Sequence, residues 1–189
     1  MSAADSLRFG GALFVEISFA VQMDIYLILT FEIRRKGYAV AKAVKVPKTN
    51  AMRELESAGI SYTLHTYEDD GDESVGLGLA ISEQLGEEPG QGFKTLVCVT
   101  PSNDHIVCCI PVADELDLKA AARAAGEKSL TMMHVKDLLA ATGYVRGGCS
   151  PVGMKRRYRT LIDETCILWD TIFISVGKRG YQLELAPDD

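Results

Sequence analysis

Residues 95–100 (TLVCVT) and 106–112 (IVCCIPV) are two continuous apolar runs, joined by the turn-forming Pro101, Ser102, Asn103 and Asp104. A strand with one wet face alternates polar and apolar side chains. Runs without alternation therefore predict neighbouring strands covered on both faces, or a sheet that closes on itself. Such a sheet needs helices outside it, and start and stop residues supply them. Thr49 or Asn50 precedes residues 51–58, with Gly59 behind; residues 77–85 end at Gly86; Asp117 precedes residues 118–125, with Gly126 behind; residues 133–141 are followed by Gly143. Residues 60–67 (ISYTLHTY) alternate as a strand, and an acidic, glycine-containing loop follows at 68–73. Residues 171–176 and 181–185 flank Gly177, Lys178, Arg179 and Gly180, which predicts a hairpin with a basic tip. The elements interleave without a regular β-α-β period or a G-x-G-x-x-G turn, which disfavours a Rossmann-like nucleotide fold. The expected fold class is α/β of the α+β type: a mixed, barrel-like sheet surrounded by helices.

The regular punctuation belongs to residues 48–189, which read as one domain, while residues 1–47 read as an N-terminal extension of different character. Residues 10–31 are long and apolar enough to span a bilayer, but Glu16 and Asp24 within them would each cost roughly 2.5 to 3.5 kcal/mol at its centre. A lone Arg8 and the lack of a small-residue cleavage site make a poor signal peptide. No membrane partner is expected. A third reading takes residues 1–39 as translated upstream sequence, because Arg34, Arg35, Lys36 and Gly37 can be encoded by purine-rich codons shortly before a GTG start at Val40. An intact peptide from residues 2–30 of the natively expressed protein would end that reading. With 47% apolar and 24% charged residues, the chain has the composition of a folded globular protein.

Five cysteines, an odd number, include Cys98, Cys108 and Cys109 inside the apolar runs, which predicts free thiols in a reducing cytoplasm. There is no C-x-x-C pair, and His65, His105 and His134 are scattered, so no metal and no cofactor are expected. The net charge of −6 is uneven. Residues 138–162 carry Arg146, Lys155, Arg156, Arg157 and Arg159 without one acid. With Lys178 and Arg179 these make seven of the 20 basic residues, leaving 13 against 26 acids elsewhere. Local potential rather than net charge attracts a polyanion, so this run is either a nucleic-acid face or a merely solvated charge run.

Two features could carry chemistry. Lys94 stands at the mouth of the first apolar run, either guarding a strand edge or lining a cleft where its ammonium could hold a phosphate or a developing oxyanion. Residues 142–153 (TGYVRGGCSPVG) hold four glycines and a proline, which suits either a structural loop or a rim of open backbone N–H groups around a carbonyl oxygen. Cys149 lies in this loop, but no histidine is near it in sequence to activate the thiol.

These segments together resemble one family. Leu64, His65, Thr66, Tyr67 and Glu68; Phe93, Lys94, Thr95 and Leu96; Leu116, Asp117, Leu118 and Lys119; Thr142, Gly143 and Tyr144; residues 147–153; and Gly177, Lys178, Arg179 and Gly180 follow the patterns of the YbaK/EbsC family of Cys-tRNA(Pro) deacylases in order and spacing. The resemblance covers about residues 50 to 186. It implies a fold shared with the editing domain of bacterial prolyl-tRNA synthetases and the release of an aminoacyl group from the terminal ribose of a mischarged tRNA. Lys94 and Gly148 would be catalytic, the lysine holding the acceptor end and the Gly148 amide facing the substrate carbonyl. Tyr67, Thr95, Gly147, Ser150, Pro151, Ser175 and Gly177 would shape the substrate pocket. Lys155, Arg156, Arg157, Arg159, Lys178 and Arg179 would meet tRNA, and prolyl-tRNA synthetase is an implied partner. In cysteine-specific members the substrate thiol is thought to attack its own ester, which explains the lack of a catalytic triad.

The sequence also departs from the family. Gln182 stands where many members carry an aspartate, and Leu77 near a position often aromatic, which bears on amino-acid specificity. The alternatives are a deacylase for Ala-tRNA(Pro) or another small aminoacyl-tRNA, in which water attacks, and a non-catalytic module that binds tRNA or a synthetase.

Overall fold

The computed structural model describes residues 25–33, 39–69 and 76–189. Contacts between Cα atoms divide the chain at Pro47 and Lys48 into two compact units. In the first, β1 (Ile25–Ile33) and β2 (Ala39–Pro47) form an antiparallel hairpin running from Ile25 opposite Pro47 to Ile33 opposite Ala39. Residues 10–24 of the apolar stretch, residues 34–37 of the proposed upstream sequence and most of the acidic loop at 68–73 lie outside the described residues. Among the described residues, no helix is long and apolar enough to cross a membrane.

The second unit begins with α1 (Asn50–Ala58), whose Thr49 hydroxyl accepts the Met52 amide at 3.3 Å and whose C-terminus is closed by left-handed Gly59. Ala51, Met52 and Leu55 form its buried stripe. The next strand, β3 (Thr63–Thr66), is shorter than the alternation of residues 60–67 predicted. Ile60 is taken by the helix end, its amide donating to Leu55 O at 2.9 Å in the hydrogen bond that follows a left-handed cap. After α2 (Leu77–Leu85) come the two apolar strands, β4 (Phe93–Val99) and β5 (His105–Pro111), paired antiparallel with Leu96 opposite Cys108. Their turn places Asn103 at φ 65°, a conformation asparagine tolerates.

The chain continues through α3 (Leu118–Ala125), a two-residue β6 (Thr131–Met132), α4 (Val135–Thr142), β7 (Arg159–Ile162), a 3-10 turn (Glu164–Leu168), β8 (Ile172–Ser175) and β9 (Tyr181–Leu185). One sheet has the order β6-β4-β5-β7, with β7 parallel to β5; the other has the order β3-β9-β8 and is antiparallel. A parallel bridge between Gly92 and Phe173 joins them. The predicted mixed sheet is thus present as two parts.

Both faces of the apolar strands are covered, as the lack of alternation required. Val97, Val107 and Cys109 face a core with Met52, Leu55, Ile174, Val176 and Leu183. Cys98, Ile106 and Cys108 pack beneath Ala121, Ala122 and Ala125 of α3. Small residues on that helix face let it lie close to the sheet. Cutting a fully buried side chain such as Leu183 to alanine costs roughly 2 to 5 kcal/mol in cores of this kind.

Candidate active site

A cleft of about 560 Å³ opens where the start of α2, strand β4, the start of α4, the glycine-rich loop and the ends of β8 and β9 converge. Residues 93–97 of β4 form one wall, and Leu77, Gly78 and Ile81 of α2 form another. Gly78 permits this meeting, because a Cβ there would sit 2.7 Å from the Cβ of Val112. Met132, Met133, Val135 and Leu138 make an apolar side, while Tyr67, Ser175, Tyr181 and Gln182 add polar groups.

Lys94 lies on the cleft wall. Its half-buried ammonium donates one hydrogen bond, to Val112 O at 3.1 Å, which points the group across the end of β5. Thr95 is beside it, its buried Oγ1 set against the Cys109 thiol across the strand pair. Tyr67 is held by its amide on Gly180 O at 3.0 Å, and burial raises its phenol above the usual range. Ser175 borders the cleft while its hydroxyl accepts the Gly177 amide at 3.3 Å.

The glycine-rich loop is pinned from several sides. Thr142 Oγ1 donates to Leu138 O at 2.8 Å and accepts the Tyr144 amide at 3.0 Å, while the Tyr144 hydroxyl donates to Val152 O at 2.7 Å. Gly153 N donates to Glu54 of α1 at 2.8 Å. Of the predicted loop residues, Gly147 lines the cleft; Gly148, Ser150, Pro151 and Gly177 are not among its lining residues. The Gly148 amide donates to Val145 O at 3.1 Å, inside the turn. Its Cα packs on the hairpin, where a Cβ would meet Arg179 N at 3.1 Å. Ser150 is fully buried and its hydroxyl accepts the Val152 amide at 3.3 Å. Gly177 is a packing glycine too: at φ 89°, a Cβ would fall 2.4 Å from the Tyr144 ring. Cys149 lines the cleft, and burial pushes its thiol up to about 11, the reverse of what activates a nucleophile.

The predicted tRNA-binding cations divide into two groups. Lys155 Nζ donates to Leu139 O at 3.0 Å and Ala140 O at 3.4 Å, closing α4, and Arg159 donates to Ala125 O at 2.5 Å and Ala124 O at 3.3 Å, closing α3. Arg179 is held by Asp69 through Nε at 3.1 Å and Nη2 at 2.8 Å. By contrast, Arg156, Arg157 and Lys178 are exposed, with Arg157 only 3.9 Å from Glu54 and Lys178 over the Tyr181 ring at 5.3 Å. Exposed Arg146 stands at the cleft itself. Sequence reasoning missed the Asp69 clamp, whose one signal was an acidic loop and a basic hairpin of opposite charge, and the apolar side at Met132 and Met133, for which the sequence held no signal.

Residues 79–189 match the aminoacyl-tRNA editing domain as a family. Over 149 residues, 79% of this chain and 90% of its relative, the sequence is 45% identical to a protein of Enterococcus faecalis with the provisional name Cys-tRNA(Pro)/Cys-tRNA(Cys) deacylase EbsC. The chain belongs to the aminoacyl-tRNA editing domain family, whose activity is the deacylation of mischarged tRNA. Two crystal structures share its fold. One, of a provisionally assigned trans-editing enzyme for prolyl-tRNA synthetase, has a TM-score of 0.64 at 21% identity, over 74% of this chain and 85% of the other. The second, of a hypothetical protein, has a TM-score of 0.65 at 18% identity, over 74% and 89%.

Proposed function

We propose that residues 48–189 act as a free-standing trans-editing domain whose substrate is Cys-tRNA(Pro). The observation that carries this reading is the Lys94 ammonium on the wall of a cleft that Gly147 and Cys149 also border. A cation there can hold the ester of the acceptor end and oppose negative charge as it builds on the carbonyl oxygen. The relative's name supplies the aminoacyl group and the tRNA. In the reaction, the substrate thiol sulfur bonds to its own ester carbon, the carbon–oxygen bond to the terminal ribose breaks, and the thiol proton passes to the ribose oxygen. The products are a cyclic thioester and free tRNA, so the protein supplies position and charge rather than a nucleophile.

Arg146, Arg156, Arg157 and Lys178 are the exposed cations that would meet tRNA phosphates, and prolyl-tRNA synthetase is the partner that would present the acceptor. The test is a deacylation panel with cysteinyl, alanyl and prolyl tRNAs. Cysteinyl-tRNA(Pro) is expected to be cleared fastest. Strong activity on alanyl-tRNA with none on cysteinyl-tRNA rejects the substrate, and no turnover on any charged tRNA favours a non-catalytic binding module.

A further inference from the structure

β7 is the outer strand of its sheet: one edge pairs with β5, and the other pairs with no strand among the described residues. The ladder fixes which backbone groups are left open. The Asp163 amide donates to Cys109 O at 2.9 Å, so residues 159, 161 and 163 turn their N–H and C=O groups to β5, and Thr160 and Ile162 turn theirs outward. Tyr158, just before the strand, follows the same alternation, and its carbonyl accepts the Thr160 hydroxyl at 3.3 Å. This edge is not sheltered. Thr160 is exposed, Ile162 is 45% exposed, and in the 3-10 turn that follows Ile167 and Leu168 are 74% and 73% exposed, the highest values among the large apolar residues described. Open backbone groups beside exposed apolar side chains are a template for another strand.

The charges along β7 say which strand that is. Arg156 and Arg157 precede it and Asp163 and Glu164 follow it; all four are exposed except Asp163, which is partly buried. Such a segment is complementary to itself run backwards. When two copies pair antiparallel with Thr160 opposite Thr160, Arg157 of each lies opposite Asp163 of the other, and Arg156 lies opposite Glu164. The same register brings outward-facing residues together, Thr160 on Thr160 and Tyr158 on Ile162, as hydrogen-bonded pairs require. A register centred on Arg159 would set two arginines face to face. One centred on Leu161 would leave Arg157 opposite Thr165 and give Asp163 only Arg159, whose guanidinium already closes α3. The arginines also repel any strand that lacks matching acids, which narrows the choice of partner.

We infer that β7 is a self-association edge, through which two copies of this chain join antiparallel about a two-fold axis and merge their four-stranded sheets into one. The contact is short, so the dimer is weak, with a dissociation constant on the order of 10 to 100 µM. At the nanomolar protein of a tRNA titration the copies are apart, and Arg156 and Arg157 are free for phosphates.

Sedimentation velocity of the full chain tests this. At about 200 µM protein and about 0.05 M salt, most of the wild type should sediment as a dimer, and about 0.5 M salt should weaken association about tenfold by screening the exposed ion pairs. Thr160→Pro deletes an outward N–H that pairs with nothing within one copy, so it should abolish the dimer and keep the melting temperature within about 2 °C of the wild type. Arg156→Glu sets like charges opposite one another and should weaken association about tenfold. Adding Glu164→Arg to it restores opposite signs and should recover the dimer, a comparison that decides the matter even where Thr160→Pro fails to fold. A wild type that stays monomeric at about 200 µM overturns the inference. So does a dimer that Thr160→Pro leaves intact, or one to which Arg156→Glu and its pairing with Glu164→Arg make no difference.

Discussion

Replacing Gly153 with alanine tests whether the glycine-rich loop is seated by backbone packing. Gly153 has φ 73°, and an added Cβ would fall 2.4 Å from Ala51 N, 2.5 Å from Asn50 C and 2.7 Å from the Tyr144 hydroxyl. None of these can yield cheaply. Ala51 belongs to the capped first turn of α1, and the Tyr144 hydroxyl is fixed on Val152 O. The left-handed conformation alone costs an L-residue roughly 1 to 2 kcal/mol. Relieving the overlap needs a backbone shift of a kind that costs roughly 1 to 3 kcal/mol more. The expected loss is therefore roughly 2 to 5 kcal/mol. Gly126→Ala is the control, since Gly126 has φ 68° but nothing within 4 Å of its Cβ position, leaving only the conformational cost. At about 2 to 4 °C per kcal/mol for a chain of this size, Gly153→Ala should melt at least about 2 °C below Gly126→Ala in thermal unfolding followed by circular dichroism. Urea midpoints should keep the same order. Two variants that melt together would refute the packing argument, whatever their distance from the wild type.

Four further outcomes are expected. Lys94→Met should lower the deacylation rate about 100-fold or more while tRNA binding is largely kept, as read by single-turnover kinetics beside a binding assay. Arg156→Ala with Arg157→Ala should flatten the salt dependence of tRNA binding by about 1 to 2 units of log–log slope. Arg159→Ala, whose guanidinium closes α3, should leave that slope alone and cost about 1 kcal/mol of stability instead. Glu87→Gln should stabilise the protein at pH 8 but not at pH 4. Burial pushes the Glu87 carboxyl up to about 7, Ser82 opposes the shift, and Glu184 adds to it. Its native pKa thus exceeds the unfolded one, the native state holds the extra proton between about pH 4.5 and 7, and stability falls as pH rises through that window. With the group only partly buried, the melting gain at pH 8 should correspond to roughly 1 kcal/mol; equal gains at both values would contradict the shift.

Much of the framework could be read from the amino acids because its causes are local. Thr49 and Gly59 around α1, and Asp117 and Gly126 around α3, act within one helical turn, so the sequence alone located those helices. The unbroken apolar character of β4 and β5 likewise demanded cover on both faces, and the helices and second sheet provide it. The hairpin at Gly177 and Gly180 was legible for the same reason, as a turn needs only its own residues. The motifs around Lys94 and the glycine-rich loop also pointed to the editing family.

What the sequence could not decide was where long side chains and short strands find partners far along the chain. Thr131–Met132 and Arg159–Ile162 are too short to show a period, and each becomes a strand only because β4 or β5 presents it with free backbone groups. Lys155 and Arg159 read as part of a basic face, yet each reaches carbonyls that a helix end leaves open. Gly148 promised an open amide, but its N–H is taken by Val145, so that the residue serves as a contact surface for the Lys178 and Arg179 backbone. Gln182 is one polar residue in an alternating strand until the fold buries it against the cleft with its oxygen unmatched. Local patterns suffice for backbone choices made within a few residues; the destination of a charge or an amide depends on which distant groups the tertiary structure has already left unsatisfied.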